Sequence, residues 1–243
     1  MTIHLKELHI AYNLIPYKRN QDVVRLQLHT YGWDVIISMV DGYDSPDLYK
    51  DNKKGRKLAK EVSRLYPFLF VKDSSIEVLF RARRTAEAVD LQILSRYEQG
   101  VACVAAFVFQ KKNKQILVTV GSVFAYLWDG RKWFKPKEIG DYSLEPRQYG
   151  SDVSRFFGGK ENKNKPLFSC QPDVVETDAD IPVFLATDGF EDVFSLKDLN
   201  AFTAHIKNRN PKVFIEELTS AIKRNKKQKD DITILLKGVP KIK

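Results

Sequence analysis

Apolar and polar residues alternate over residues 3–10 and 23–28, the period of half-buried β-strands. Residues 33–40 are apolar and β-branched, which reads as a more deeply buried strand. Between residues 56 and 66 the spacing becomes helical, with Leu58, Val62 and Leu65 on one face. Ser74 or Ser75 is a candidate cap for a longer helix running to about Tyr97. The apolar face of that helix would carry Ile76, Leu79, Phe80, Ala86 and Ile93.

A strand-rich stretch follows. Residues 101–109 and 115–120 flank Lys111 to Lys114 and predict a hairpin. Residues 123–128 and 131–134 face each other across Asp129-Gly130, a tight-turn dipeptide. Residues 183–186 read as a buried strand and 232–236 as a closing one. Between them, Asn210-Pro211 has the form of a helix cap followed by proline at the first helical position. That helix presents Phe214, Leu218, Ala221 and Ile222. Strands joined by hairpins imply antiparallel sheets, and helices grouped in runs imply layers outside them, so the class is α+β. No repeat, low-complexity tract or linker divides the chain, which reads as one domain over residues 1–243; the Lys/Asn-rich segment 158–165 reads as a loop.

Composition narrows the function. Hydrophobic residues make up 43% and charged residues 29% of the 243, values of an ordinary globular protein. The longest apolar run, 101–109, is less than half of what a spanning helix needs. The first ten residues lack the apolar core of a signal peptide, so a cytoplasmic protein without membrane contact is expected. Cys103 and Cys170 show no metal-ligand spacing and are expected to stay reduced. The four histidines form no cluster suited to zinc. The net charge is +9, but the lysines fall in short runs at expected turns, such as Lys53-Lys54, Lys111-Lys112 and Lys226-Lys227. They read as solvated loops, and no aromatic-interleaved basic motif points to nucleic acid.

The chemistry lies elsewhere. Residues 36–44 read IISMVDGYD and residues 184–192 read FLATDGFED. Each is a buried run ending in Asp-Gly, then an aromatic, then a further acid. Asp230-Asp231 stands before a third apolar run. One Asp-Gly is ordinary turn chemistry. Two in matched settings, with a late acidic pair, place three carboxylate groups at strand ends. Carboxylate and carbonyl oxygens suit Mg²⁺ or Mn²⁺. Glycine after Asp41 allows a close backbone approach and offers its carbonyl.

With those segments in place, the chain resembles the type-2C metal-dependent protein phosphatases over nearly its whole length. Asn20-Gln21-Asp22 is similar to the family's Asn-Glu-Asp, and Val40-Asp41-Gly42 to its first metal motif. Gly55 and the helix after it fit the segment that follows that motif. GVACVAAFVF at 100–109, Val120-Gly121 with Ala125-Tyr126-Leu127, Ala186-Thr187-Asp188-Gly189 and Asp230-Asp231-Ile232-Thr233 follow in the family's order. The resemblance implies a four-layer α-β-β-α sandwich, with two mainly antiparallel sheets packed face to face and helices on both outer sides. It implies hydrolysis of phosphoserine or phosphothreonine in proteins by water activated between two Mg²⁺ or Mn²⁺ ions. By position, Asp41 would bridge both ions, Gly42 would offer its carbonyl to one, and Asp188 and Asp230 would hold the other. Asp22 would orient water from outside the metal's ligands. The oligomeric state implied by default is a monomer.

The departures are specific. Tyr17 stands where the family has a phosphate-binding arginine, and leaves Lys18 and Arg19 as candidate substitutes. Lysine lacks arginine's bidentate fork. Gln21 replaces a glutamate, Tyr43-Asp44 replaces small residues, and no histidine follows the first motif. Ser122 replaces the aspartate of a possible third metal site. These changes define the alternative: a phosphatase-like module that binds and regulates with little or no catalysis.

Overall fold

A computed structural model describes residues 2–5, 8–16, 21–44, 53–72, 76–97, 101–136, 157–158, 170–205, 210–225, 230–238 and 240. In chain order the elements are β1 (Thr2–Leu5), β2 (Leu8–Ile15), β3 (Val23–Thr30), β4 (Trp33–Asp44), α1 (Lys53–Lys72), α2 (Val78–Arg96), β5 (Val101–Lys111) and β6 (Lys114–Val120). There follow β7 (Phe124–Trp128), β8 (Trp133–Phe134), β9 (Phe157–Gly158), β10 (Asp173–Asp178), β11 (Val183–Ala186), α3 (Asp188–Val193), α4 (Leu196–His205), α5 (Pro211–Arg224) and β12 (Ile232–Lys237). They form two compact units, each with its own sheet and core.

One unit comprises residues 21–123 and 137–177. Its sheet runs in the order β10-β6-β5-β4-β3, with β9 against β5. The pairs β3·β4, β4·β5 and β5·β6 are antiparallel, and β5·β6 is the hairpin predicted across Lys111 to Lys114. Alternation sends Ile36, Val40, Cys103, Ala105, Phe107 and Phe109 to the face covered by α1 and α2. There Tyr66 stacks on Phe107 and Phe70 on Phe109, each at 4.2 Å between ring centres. Val35, Ile37, Met39, Ala106 and Val108 lie on the other face and are buried too. That double burial explains the unbroken apolar runs.

Helix α1 runs past the expected end at Tyr66 and contains Pro67. A proline lacks the N–H that would satisfy the carbonyl four residues back. That carbonyl belongs to Ser63, and the buried Ser38 hydroxyl of β4 donates to it at 3.1 Å. A sheet residue thus repairs the helix. Lys53 and Lys54, read as turn residues, open this helix instead.

Helix α2 starts later than expected. Glu77 is its cap: both carboxylate oxygens accept backbone N–H groups, from Leu79 at 2.9 Å and Phe80 at 3.0 Å. These bonds hold its carboxyl below the usual range. Ser74 and Ser75 lie outside the described residues. The buried face is Arg81, Ala82, Thr85, Ala86, Val89, Asp90 and Ile93, while Phe80, assigned inward from spacing, is 56% exposed. Gly158 is paired with Ala102 in the β5·β9 ladder rather than looped out.

The other unit comprises residues 1–20, 124–136 and 178–243, with the sheet order β1-β2-β12-β11-β7-β8. The single strand expected over residues 3–10 is two, because β1 folds back on β2 with Ile3 opposite Ile10. Ala11, Ile15, Tyr126, Phe184, Ala186, Ile232, Ile234 and Leu236 pack with Phe190, Phe214, Leu218 and Ile222 of the helices. Helix α5 begins as expected, with the Asn210 side chain accepting from Lys212 N at 2.9 Å and Pro211 in the first turn. Among the described residues no helix is long and apolar enough to cross a membrane. Cys103 and Cys170 are both buried thiols, not joined in a disulfide.

Candidate metal centre

Asp41 and Gly42 do not end a strand. β4 continues to Asp44 because β5 is long enough to pair with it there, Asp41 opposite Val104 and Gly42 opposite Cys103. Val40 and Gly42 face α1, and Asp41 points to the other side of the sheet. A Cβ built at Gly42 would lie 2.4 Å from the Gly55 carbonyl oxygen, 2.7 Å from its carbon and 3.2 Å from the Ala59 Cβ. The close approach that glycine permits here is that of α1.

Asp22 lies one residue before β3, whose pairing with β4 ends at Val23 opposite Val40. Continued by one step, that register would set Asp22 across from Asp41. Directly opposed antiparallel residues share a face, with Cβ atoms about 4.5–5.5 Å apart. Asp22 is only 4% exposed and Gln21 8%, so Asp22 is not a solvated edge acid. A carboxylate held there needs hydrogen bonds or a cation.

In the other unit, β11 is short. At its end Thr187 N donates to the Thr233 carbonyl at 3.1 Å, and Thr233 N donates to Thr187 Oγ1 at 2.9 Å. This reciprocal clamp, fully buried, extends the β11·β12 pairing by one step. The chain then turns into α3, whose first residue is Asp188. The second Asp-Gly therefore opens a helix, unlike the first. A Cβ at Gly189 would lie 2.4 Å from the Asp231 carbonyl oxygen and 3.3 Å from the Asp230 Cβ. The first turn of α3 thus presses on the segment carrying Asp230. Asp188 Oδ1 accepts from Gly189 N at 2.8 Å, and Asp230 Oδ1 accepts from Asp231 N at 2.7 Å.

Charge accumulates there. The Asp230 carboxyl is pushed above its ordinary value, first by partial removal from water and then by the charges of Asp188, Asp231 and Asp192. The Asp231 N–H bond opposes the rise. Asp192 lies four residues after Asp188, one turn along α3, and spacing alone did not single it out because the helix was not foreseen. Glu191 is engaged elsewhere: the Tyr126 hydroxyl donates to it and Lys135 Nζ pairs with it at 2.7 Å. Burial, that bond and the Glu191 charge push the Tyr126 hydroxyl well above its ordinary value.

Every candidate donor is an oxygen, the set that hard divalent cations take. A cation beside Asp188 and Asp230 would offset the partial loss of water and the neighbouring charges that together raise the Asp230 pKa. In that respect the residues fit Mg²⁺ or Mn²⁺. Among the described residues, no three acidic, histidine or cysteine side chains are grouped as a finished cage. Tyr17, Lys18 and Arg19 lie outside the described residues, and Ser122 lies in the bend after β6.

No protein-family model matches this chain, and no curated protein matches it in sequence. Solved structures do match. A bacterial serine phosphatase bearing a point mutation superposes with a TM-score of 0.69 at 14% identity, over 97% of this chain and 99% of that one. A serine/threonine phosphatase from Staphylococcus aureus gives 0.69 at 13% identity, over 98% and 97%. The catalytic domain of the serine/threonine protein phosphatase PstP, in complex with two manganese ions, gives 0.64 at 14% identity, over 96% and 99%. This chain has the fold of the type-2C serine/threonine phosphatases, the α+β class expected from its sequence.

Proposed function

We propose that this chain is a metal-dependent phosphatase that hydrolyses phosphoserine or phosphothreonine in proteins, with residues 1–243 as one catalytic domain. The observation that carries the reading is the Asp188–Asp230 cluster. Two acids from separate segments are pressed together by the α3 contact at Gly189 and by the Thr187–Thr233 clamp, at a cost in mutual repulsion. The manganese ions of the PstP structure support the same reading.

Asp41, the Gly42 carbonyl, Asp188 and Asp230 would hold two Mg²⁺ or Mn²⁺ ions. Such ions supply positive charge against the phosphoryl oxygens and lower the pKa of water. The chain's own residues set the frame for that chemistry. The Gly189 and Asp231 N–H groups fix one oxygen each of Asp188 and Asp230, so the remaining oxygens are oriented before any cation arrives. Asp22 would accept a hydrogen bond from a water and align it. Lys18 and Arg19 would take the role of the missing phosphate-binding arginine.

The test is hydrolysis of p-nitrophenyl phosphate with and without millimolar Mn²⁺, in the parent chain and in Asp41→Asn and Asp188→Asn. Metal-dependent turnover lost in both folded variants is the expected result. Turnover that is indifferent to metal, or unchanged in Asp188→Asn, refutes the assignment. The second reading, a non-catalytic regulatory module, draws on Tyr17 and Gln21 and on the lack of a finished cage among the described residues. Robust turnover of a phosphopeptide eliminates it.

A further inference from the structure

The outer face of α1 is unlike an ordinary solvated helix face. Its exposed positions are Lys53, Arg56, Lys57, Lys60, Arg64, Phe68 and Lys72, all cationic except Phe68. Exposed helices usually mix signs, because opposite charges three or four residues apart stabilise and like charges destabilise. Here Arg56–Lys60 and Lys60–Arg64 are like-charged pairs four apart. The helix's single acid, Glu61, is already engaged by Arg96 Nη1 at 2.6 Å and the Tyr97 hydroxyl at 2.8 Å. Among the described residues, Arg56, Lys57, Lys60 and Arg64 have no acidic partner.

The stripe has a defined start and end within its unit. It begins where Gly55 lies against Tyr43, a built Cβ being 2.9 Å from the Tyr43 carbonyl carbon. Tyr43 is 55% exposed and shares a strand face with Asp41. The far end carries Phe68, 37% exposed, with Lys72 Nζ 4.6 Å above its ring and Tyr31 edge-on at 5.9 Å. From Arg56 to Lys72 the helix rises about 24 Å, the reach of about seven residues of extended polypeptide.

We propose that this face of α1 is a docking track for an acidic segment of a polypeptide substrate, flanking the phosphorylated residue. The proposal rests on the phosphatase reading and names the substrate class of that site. Charge complementarity selects an anionic occupant, and the stripe starts beside the Tyr43 backbone, two residues along β4 from Asp41, whose side chain points to the sheet face away from α1. Bases of a nucleic acid would need aromatic platforms along the track, and among the described residues of α1 the one exposed aromatic is Phe68, at its far end. A lipid surface would need an apolar helix face to insert, and Leu58, Val62, Tyr66 and Phe70 are committed to the core.

The experiment measures anisotropy of fluorescent nine-residue peptides, acidic or neutral and lacking phosphate, so that binding is read without catalysis. The variant is Lys60→Glu/Arg64→Glu, both exposed and outside the candidate centre. The acidic peptide is expected to bind the parent chain more tightly than the neutral one, to weaken with added salt, and to lose about tenfold in affinity in the variant. With an acidic phosphopeptide the variant raises KM, while kcat and p-nitrophenyl phosphate turnover hold. Equal affinity of parent and variant overturns the track. So does tighter binding of an oligonucleotide of equal charge, or of vesicles containing anionic lipid, at the same salt. Absence of metal-dependent turnover refutes the phosphatase reading, and the binding arm still decides the track.

Discussion

Replacing Gly42 with alanine separates two roles for that glycine. The added Cβ would meet the Gly55 oxygen at 2.4 Å and carbon at 2.7 Å, where real Cβ contacts stay beyond 3.0 Å. Both obstacles are backbone, so no rotamer relieves them, and α1 must retreat by more than half an ångström or β4 must bend. Overpacking of this kind costs about 1–3 kcal/mol, and backbone on both sides argues for the upper end. The stiffer unfolded chain returns about 0.4–1 kcal/mol. The net expectation is a loss of about 2 kcal/mol, which lowers Tm by roughly 4–8 °C in a chain of this size. Gly55→Ala should lose less: its Cβ meets the Tyr43 carbonyl carbon at 2.9 Å, and alanine improves helix propensity by about 1 kcal/mol. The double variant should be less destabilised than the sum, because one retreat of the helix accommodates both methyl groups. Urea titration of the four proteins, with constant m, provides the measurement. Stability of Gly42→Ala within about 0.5 kcal/mol of the parent, or strict additivity, refutes the close-packed crossing. The Gly42 carbonyl survives the substitution, so weakened Mn²⁺ binding in Gly42→Ala would come from displacement of the strand.

Other expectations follow from the same structure. Mn²⁺ at one hundred times its dissociation constant should stabilise the chain by about 2.7 kcal/mol, seen as a rise in Tm, and the rise should vanish in Asp230→Asn. Without metal, Asp230→Asn should be no less stable than the parent above pH 6, because a carboxyl whose folded pKa is raised weakens the fold once ionised. Removing the Ser38 hydroxyl in Ser38→Ala strands the buried Ser63 carbonyl and should cost about 1–3 kcal/mol. Adding Pro67→Ala, which restores a helical N–H, should recover part of that loss in urea titrations. Buried Lys237 has its pKa pushed down to about 8, and its amine donates to the Ala179 carbonyl at 2.8 Å. The unfolded chain therefore binds more protons between pH 8 and 10, so stability should rise across that window by up to roughly 3 kcal/mol. Above it stability should fall, because the Tyr97 and Tyr126 hydroxyls resist ionisation only in the fold. A flat profile in the parent, or an unchanged rise in Lys237→Met, would contradict this account.

Periodicity revealed what is local. The strands over 23–28, 33–40, 101–109, 115–120 and 183–186, and the Asn210-Pro211 start of α5, follow from side-chain alternation and capping chemistry that act within a few residues. The α+β class was legible for the same reason, whereas the order of the acidic motifs is read through the resemblance to the type-2C phosphatases. Tertiary structure decided where each motif sits. The two Asp-Gly segments are nearly alike in sequence. Asp41-Gly42 stays in a strand because β5 extends far enough to pair with it, whereas Asp188-Gly189 starts a helix where the short β11 runs out. Helix α1 passes through Pro67 because a hydroxyl from β4 reaches the orphaned carbonyl. Asp22 is buried just before β3 rather than solvated, and Asp192 became a neighbour of Asp230 through a helical turn. Each outcome depends on partners distant in sequence, whose hydrogen bonds and packing outweigh the local preference of the residues they meet.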